Sequence, residues 1–313
     1  MSDSAPGSRL RVELAGLSLR NPLLLASGTA GYGRELDGVI DLDQVGGLVT
    51  KAVSTEPRSG AAAPRVTEFA SGMLNAVGLA NPGVEAVRRE HLPWLAKRVR
   101  DTKVLVNVVG RQPGDFAEVI SRLDDAEGVD GFELNVSCPN VKAGGLEFGA
   151  DPASLAEVVR LARQATLRPL FTKLSPTITD IVRAATVALE AGSTGLTLVN
   201  TMPGLLIDVE RRRPILGFGS GGVSGGALLP IGVLATWRVH RATGAPIIGA
   251  GGIATASDAL QYLMAGATAF AVGTAALRDP RLPGRLVGDL ASWCEVRGVT
   301  SLGDLTGTLE WPA

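Results

Sequence analysis

The chain has 313 residues, 45% hydrophobic but only 4% aromatic, with 40 glycines. Such a core is built from Val, Leu, Ile and Ala with many tight turns, which favours an α/β protein over a β-sandwich. Thirty basic and 31 acidic residues are spread along the chain for a net charge of -1, so no basic field invites nucleic acid, and a small molecule or another protein is the expected partner.

Cysteine usage narrows the classes further. Cys138 and Cys294 are too few for a disulfide framework, a structural zinc or an iron-sulfur cluster of the chain's own, so no metal site is expected and a reducing cytoplasm fits. The opening MSDSAPGSRLRVEL has no apolar signal core, and every later apolar run is broken before the ~18 residues a membrane span needs. A soluble protein with no membrane partner is expected.

In chain order, residues 1–9 read as a flexible polar tail. The stretch LRVELAGLSLRNPLLLAS alternates apolar and polar residues around Gly16 and Asn21-Pro22, which predicts a β-hairpin leading into a buried strand. Runs rich in β-branched residues then predict strands at 23–27, 47–53, 103–109, 131–137, 169–174, 195–200, 246–250 and 269–274. Helical periods lie between and after them at 34–43, 84–101, 115–126, 152–166, 179–191, 228–243, 256–265 and 281–296. Asp151-Pro152 and Thr179-Asp180 are start signals, and Gly192 and Gly266 are stops. Eight strand-helix units over residues 1–313 predict an α/β fold: a single (β/α)8 TIM barrel domain with an N-terminal hairpin.

Two excursions, 54–83 and 202–227, follow strands two and six and are too long for simple connections. Insertions after strands lie at the C-terminal face of a barrel, where active sites are built. A doubly wound open sheet is the competing architecture, because GAGGIA at 249–254 matches a dinucleotide fingerprint. That fingerprint belongs in a first βα unit with an acidic residue ~20 positions on, whereas here it falls in the seventh unit and is followed by AFAVGTA. Glycines ahead of helices near strands seven and eight of a barrel make a mononucleotide phosphate site instead. Gly251, Gly252, Gly273 and Thr274 therefore read as an FMN phosphate cradle.

The strand ends carry the chemistry. Lys51 closes strand two, Asn107 strand three, Asn135 and Cys138 strand four, Lys173 strand five, and Asn200 with Thr201 strand six. One strand-end Asn is commonly a turn residue and one Lys can reach solvent; five such ends in register point to a site. Amides that donate and accept suit a neutral imide ring such as a pyrimidine or an isoalloxazine. Lysines supply fixed positive charge near a carboxylate or a reduced flavin.

Cys138 can be a structural thiol, a nucleophile or a general base. His91 and His240 both fall in helical segments, so neither is placed to pair with it as in a Cys-His nucleophile. A base role stays open, and a thiol of ordinary pKa ~8.5 would favour mildly alkaline conditions. Cys294 reads as ordinary helix packing.

Taken together, NPLLLASGTAGYG, TKAVSTEPRSG, GMLNAVGLANPG, NVSCPNVKAGGLEFG, TKLSP, VNTMPG, GGVSG, IIGAGGI and VGTA resemble the class 1 dihydroorotate dehydrogenases from about residue 10 to 278. The CPNVKAGG and LNAVGLANPG forms are most similar to the class 1B, NAD-linked catalytic subunit.

The resemblance implies FMN-dependent oxidation of (S)-dihydroorotate to orotate in pyrimidine (UMP) biosynthesis, with Cys138 as the base. It implies that Lys51, Asn75, Ala76, Val77, Gly78, Leu79, Asn135, Asn140, Asn200 and Thr201 contact substrate. It also implies that Ser27, Lys51, Ala52, Asn107, Asn135, Lys173, Val199, Gly225, Gly251, Gly252, Gly273 and Thr274 hold one FMN. The class further implies a homodimer core in a heterotetramer, whose partner subunit carries FAD and a 2Fe-2S cluster and reduces NAD.

Departures from the family pattern are Thr177 after LSP, Ala52 after the Lys, TAAL without its usual aromatic, and the glycine-rich RRRPILGFGSGG. A fumarate-dependent class 1A enzyme, a related dihydropyrimidine dehydrogenase and a non-catalytic flavin-binding paralogue are the alternative readings of the same residues.

Overall fold

The computed structural model describes residues 9–137 and 148–312. The expected tail residues 1–8, together with Cys138 and Asn140, lie outside the described residues.

Eight parallel strands close into a barrel: Leu23–Leu25, Gly47–Val49, Lys103–Val108, Gly131–Asn135, Leu170–Leu174, Gly195–Leu198, Ile247–Ala250 and Ala269–Val272. The eighth strand pairs with the first, Phe270 opposite Leu23, so no edge is left open. All eight expected strands are present, each shorter than its apolar run. The second ends at Val49, though the Thr50 N–H still donates to the Leu105 carbonyl at 2.9 Å, and the chain pairs again at a bridge from Val53 to Val108.

The alternation of side chains along each strand sorts the core into two layers. Leu24, Val49, Leu105, Phe171, Ile248 and Ala269 turn into the barrel and pack with Val12, Leu14, Leu17 and Leu19 of the hairpin. Their neighbours Leu25, Leu48, Val106, Leu170, Leu196, Ile247 and Phe270 face outward against the helices. The hairpin, Val12–Leu14 paired with Leu17–Leu19, therefore plugs the N-terminal end of the barrel. Its two-residue turn has positive φ at Ala15 (50°) and Gly16 (87°), the backbone a tight hairpin of right-handed twist needs.

Helices cover the outside. Asp151 caps Pro152–Gln164 by accepting from the Ser154 N–H at 2.8 Å, and Asp180 caps Ile181–Glu190 from the Arg183 N–H at 3.0 Å, as their start signals predicted. Thr255 and Asp258 form a reciprocal cap on Ala256–Met264. Cys294 is fully buried in Leu282–Arg297, in line with its reading as packing, and burial pushes its thiol pKa up.

The helix expected over 34–43 is instead two 3-10 turns, Arg34–Leu36 and Leu42–Gln44. Gly38 between them sits at φ 75°, outside helical space. The helical run that starts at Val84 widens to a π turn at Val87–His91 before continuing as Leu92–Arg98. Pro93 has no N–H to return to the preceding turn, which accounts for the local widening. A short helix that the sequence pattern did not suggest, Thr274–Arg278, follows the eighth strand.

The two excursions meet. Val66–Phe69 and Gly72–Asn75 from the first join Gly221–Ser224 and Met202–Gly204 from the second in one four-stranded antiparallel sheet beside the C-terminal mouth. Glycine is required at this seam: a Cβ on Gly222 would lie 2.2 Å from Thr201 Oγ1, and one on Gly221 would lie 2.5 Å from the Asn75 carbonyl. That explains part of the glycine-rich departure noted in the sequence.

His91 packs against Tyr32 in a tilted pair with ring centroids 4.4 Å apart, and its Nδ1 is buried without a hydrogen-bond partner among the described residues. Burial, with the Arg34 charge adding to it, holds its pKa below the ordinary histidine value. Below about pH 6.5 the unfolded chain thus takes up this proton more readily than the folded one, and stability falls as pH drops towards the folded pKa. The variant His91→Phe should keep the ring contact with Tyr32 and flatten that part of the curve, measured as urea midpoints across a pH series.

Candidate active site

Above the apolar layer the inward positions turn polar. Counting on by two from Val49 gives Lys51, from Leu105 gives Asn107, from Gly131 gives Glu133 and Asn135, from Phe171 gives Lys173 and from Gly195 gives Thr197. Parallel register sets Asn107 opposite Glu133, Asn135 opposite Lys173, and Thr197 opposite Lys173. Of these, Lys51, Asn107, Asn135 and Lys173 line a cavity of about 960 Å³ at the C-terminal mouth, while Glu133 and Thr197 are buried.

Every candidate residue among the described ones borders this cavity. Lys51, Asn107, Asn135 and Lys173 rise from the barrel, and Val199, Asn200 and Thr201 follow the sixth strand. Asn75, Ala76, Val77, Gly78 and Leu79 come from the first excursion, and Asn75 Nδ2 ties it to the second by donating to the Gly222 carbonyl at 3.3 Å. Ser27 and Ala52 follow the ends of the first two strands. Gly225, Gly251, Gly252, Gly273 and Thr274 line the remaining wall.

Glu133, which the sequence reading did not single out, anchors the polar layer. Its side chain is 1% exposed. Oε1 accepts from Asn107 Nδ2 at 2.7 Å and lies 3.7 Å from Lys173 Nζ, while Oε2 accepts from Thr197 Oγ1 at 2.8 Å. A buried carboxylate is tolerable only with such partners. From Asn107 the network climbs: Asn135 Nδ2 donates to Asn107 Oδ1 at 3.5 Å, and Asn200 Nδ2 donates to Asn135 Oδ1 at 3.3 Å and to Ser137 Oγ at 2.7 Å. Ser137 in turn donates to the Lys173 carbonyl at 3.3 Å. A signal for Glu133 existed, since a charge inside the apolar run GFELN, two residues before Asn135, must share its face. For Ser137 no comparable signal existed.

The two lysines differ in their surroundings. Lys173 is buried, and its ammonium donates to Ser27 Oγ at 3.1 Å besides facing Glu133. Lys51 is half-buried, and among the described residues no carboxylate lies within ion-pairing distance of it. Its peptide N–H is fixed to the Gly31 carbonyl at 2.7 Å. The Ala52 departure leaves its carbonyl at work, accepting from Tyr32 Oη at 2.9 Å. Thr177, a departure that does not line the cavity, pairs its hydroxyl with Ser175 Oγ at 2.6 Å, whereas Ala275 and Leu277 of TAAL do line it.

The glycine wall is a cradle of bare backbone. Gly225, Gly251 and Gly252 have φ of 102°, 119° and 78°. Tyr262, also missed in the sequence, donates its hydroxyl to the Ala250 and Gly251 carbonyls at 2.9 and 2.8 Å and so fixes this turn, while burial raises its pKa. Thr274 Oγ1 donates to Ser224 Oγ at 2.8 Å across the wall.

A second cavity, of about 950 Å³, lies beside the hairpin at the opposite end and is lined by Arg11, Arg20, Arg100 and Lys103. Its cations are partly spoken for, Arg20 by Asp101 at 3.8 Å and Lys103 by Asp130 at 3.3 Å. None of the inward amides reaches it.

A barrel whose polar strand ends gather around one deep cavity at the C-terminal mouth has the architecture of a small-molecule enzyme. Comparison with known sequences gives the family. The family model described as "Dihydroorotate dehydrogenase" matches residues 9–293. The chain is 46% identical over 301 residues to the "Dihydroorotate dehydrogenase B (NAD(+)), catalytic subunit" of Pelobacter propionicus, covering 96% of this chain and 98% of that one. The protein of the same description from Desulforudis audaxviator is 47% identical over 296 residues, covering 95% and 96%. A crystal structure of DHODH from Eimeria tenella in complex with ferulenol shares the fold, with a TM-score of 0.81 at 24% identity over 98% of this chain and 90% of that one.

The chain belongs to the dihydroorotate dehydrogenase family of oxidoreductases in pyrimidine biosynthesis, and its close relatives group it with the class 1B catalytic subunits. The family implies a flavoprotein that binds FMN.

The cradle can be tested by itself. A Cβ on Gly252 would lie 2.6 Å from the Leu229 peptide nitrogen, at a φ that L side chains rarely adopt. The variant Gly252→Ala should therefore lose about 1–3 kcal/mol of stability, read as a lowered urea midpoint with an unchanged m-value.

Proposed function

We propose that the chain oxidises (S)-dihydroorotate to orotate with FMN held in the cavity at the C-terminal mouth. The observation that carries this is the convergence of Lys51, Lys173 and the amides of Asn107, Asn135 and Asn200 on one cavity. The residues fit the cofactor. Gly225, Gly251, Gly252 and Gly273, which carry no side chain, form one wall of the cavity with Thr274, where peptide groups could approach a phosphate. Ser27, Ala52, Asn107, Asn135, Lys51, Lys173 and Val199 would surround the ring system, with the Lys173 ammonium offering fixed positive charge to it.

The substrate would sit under the wall formed by Asn75, Ala76, Val77, Gly78 and Leu79. Asn135, Asn200 and Thr201, with Asn140, would hydrogen-bond its imide, whose alternating donors and acceptors match what amides present. Lys51, without a carboxylate partner among the described residues, would meet the substrate carboxylate. Cys138, assigned through the family resemblance, would take the proton from ring carbon 5. Bound FMN would supply the acceptor for the hydride leaving ring carbon 6. Separating the two losses avoids an unstabilised carbanion when base and acceptor flank the ring.

The whole chain would act as one FMN-binding domain in the cytoplasm, paired as a homodimer core. The class 1B relatives are named as NAD-linked catalytic subunits, which supports a partner subunit carrying FAD and a 2Fe-2S cluster that passes electrons to NAD. Among the described residues no helix is long and apolar enough to cross a membrane.

The purified chain should show a flavin spectrum that bleaches anaerobically with dihydroorotate and not with dihydrouracil, which lacks the carboxylate for Lys51. A colourless chain that gains no flavin spectrum with added FMN would sink the proposal. The variant Cys138→Ala should keep the flavin spectrum while turnover falls about 10²–10⁴-fold, the usual worth of a positioned base; near-normal turnover would refute the base assignment.

A further inference from the structure

We infer that Glu133 is a positioning residue that sets the donor-acceptor direction of the amides lining the cavity and the net charge around Lys173. The inference rests on the flavin-site reading given under the proposed function and deepens it.

An ionised carboxylate only accepts hydrogen bonds. Glu133 Oε1, 2.7 Å from Asn107 Nδ2, therefore obliges the Asn107 amide to turn its NH₂ down and its oxygen up. That oxygen is the acceptor for Asn135 Nδ2, which in turn leaves Asn135 Oδ1 to accept from Asn200 Nδ2. One buried anion thus propagates a single polarity through three side chains that border the cavity. Without it each amide could flip, and the pattern offered to an imide ring would be mixed.

The same carboxylate lies 3.7 Å from the Lys173 ammonium, with 1% and 7% of the two side chains exposed. Charges so close and so poorly hydrated partly cancel at short range. A ring lying against Lys173 therefore experiences less than a full positive charge. Thr197 Oγ1 holds the second carboxylate oxygen at 2.8 Å and keeps the anion from rotating away.

Two variants separate the effects. Glu133→Gln keeps the shape but removes the charge and adds an NH₂ donor. Glu133→Asp keeps the charge but withdraws the acceptor from Asn107. In the FMN-loaded protein, the flavin reduction potential is measured, together with orotate affinity from the perturbation of the flavin spectrum.

Glu133→Gln should shift the potential positive and weaken orotate about tenfold, the scale of one hydrogen bond to a charged group. Glu133→Asp should leave the potential near that of the parent and still weaken orotate about tenfold. If Glu133→Gln fails to fold, Glu133→Asp decides by its orotate affinity alone. Parent-like affinity in every variant that folds, with an unshifted potential in any Glu133→Gln protein obtained, would overturn the inference. A parent protein whose flavin spectrum does not respond to orotate would instead count against the flavin-site reading itself.

Discussion

Closure of eight parallel strands into a barrel is the constraint on which the rest depends. Once the eighth strand pairs with the first, every second residue of each strand must share one enclosed interior. The lower part of that interior is filled with Leu24, Val49, Leu105, Phe171 and the hairpin residues. The upper part cannot be apolar, because the same strands deliver Asn107, Glu133, Asn135, Lys173 and Thr197 there. Burying these groups is tolerable because they satisfy one another, with Glu133 at the centre of the set.

The site is then completed from outside the barrel. The two excursions fold against each other as one antiparallel sheet, so the wall containing Asn75 is registered to the strand containing Gly222. Rigid strands fix the polar floor, while Gly225, Gly251 and Gly252, all at positive φ, present bare backbone along one wall. Such a division suits a cofactor with a flat polar ring at one end and a phosphate at the other.

Much of this was legible in the residues. The strand count, most helices, the caps at Asp151 and Asp180 and the strand-end polar residues follow from period, turn chemistry and the cost of a charge in an apolar run. What local pattern hid has physical causes. The segment 34–43 has a helical period, but Gly38 at positive φ divides it. The π turn at 87–91 comes from Pro93 inside an otherwise good helix. Glu133 sat in plain view, but its meaning depends on three other strands.

By itself, the sequence determined the alternation of each strand, the number of strand-helix units and which strand ends are polar, because these are local properties of covalent spacing and side-chain chemistry. Only the tertiary structure decided that those ends meet in one cavity, that Glu133 lies within reach of Asn107, Thr197 and Lys173 together, and that two distant insertions share a sheet. Those facts depend on barrel register and closure, which bring together residues tens of positions apart and leave no trace in any single segment.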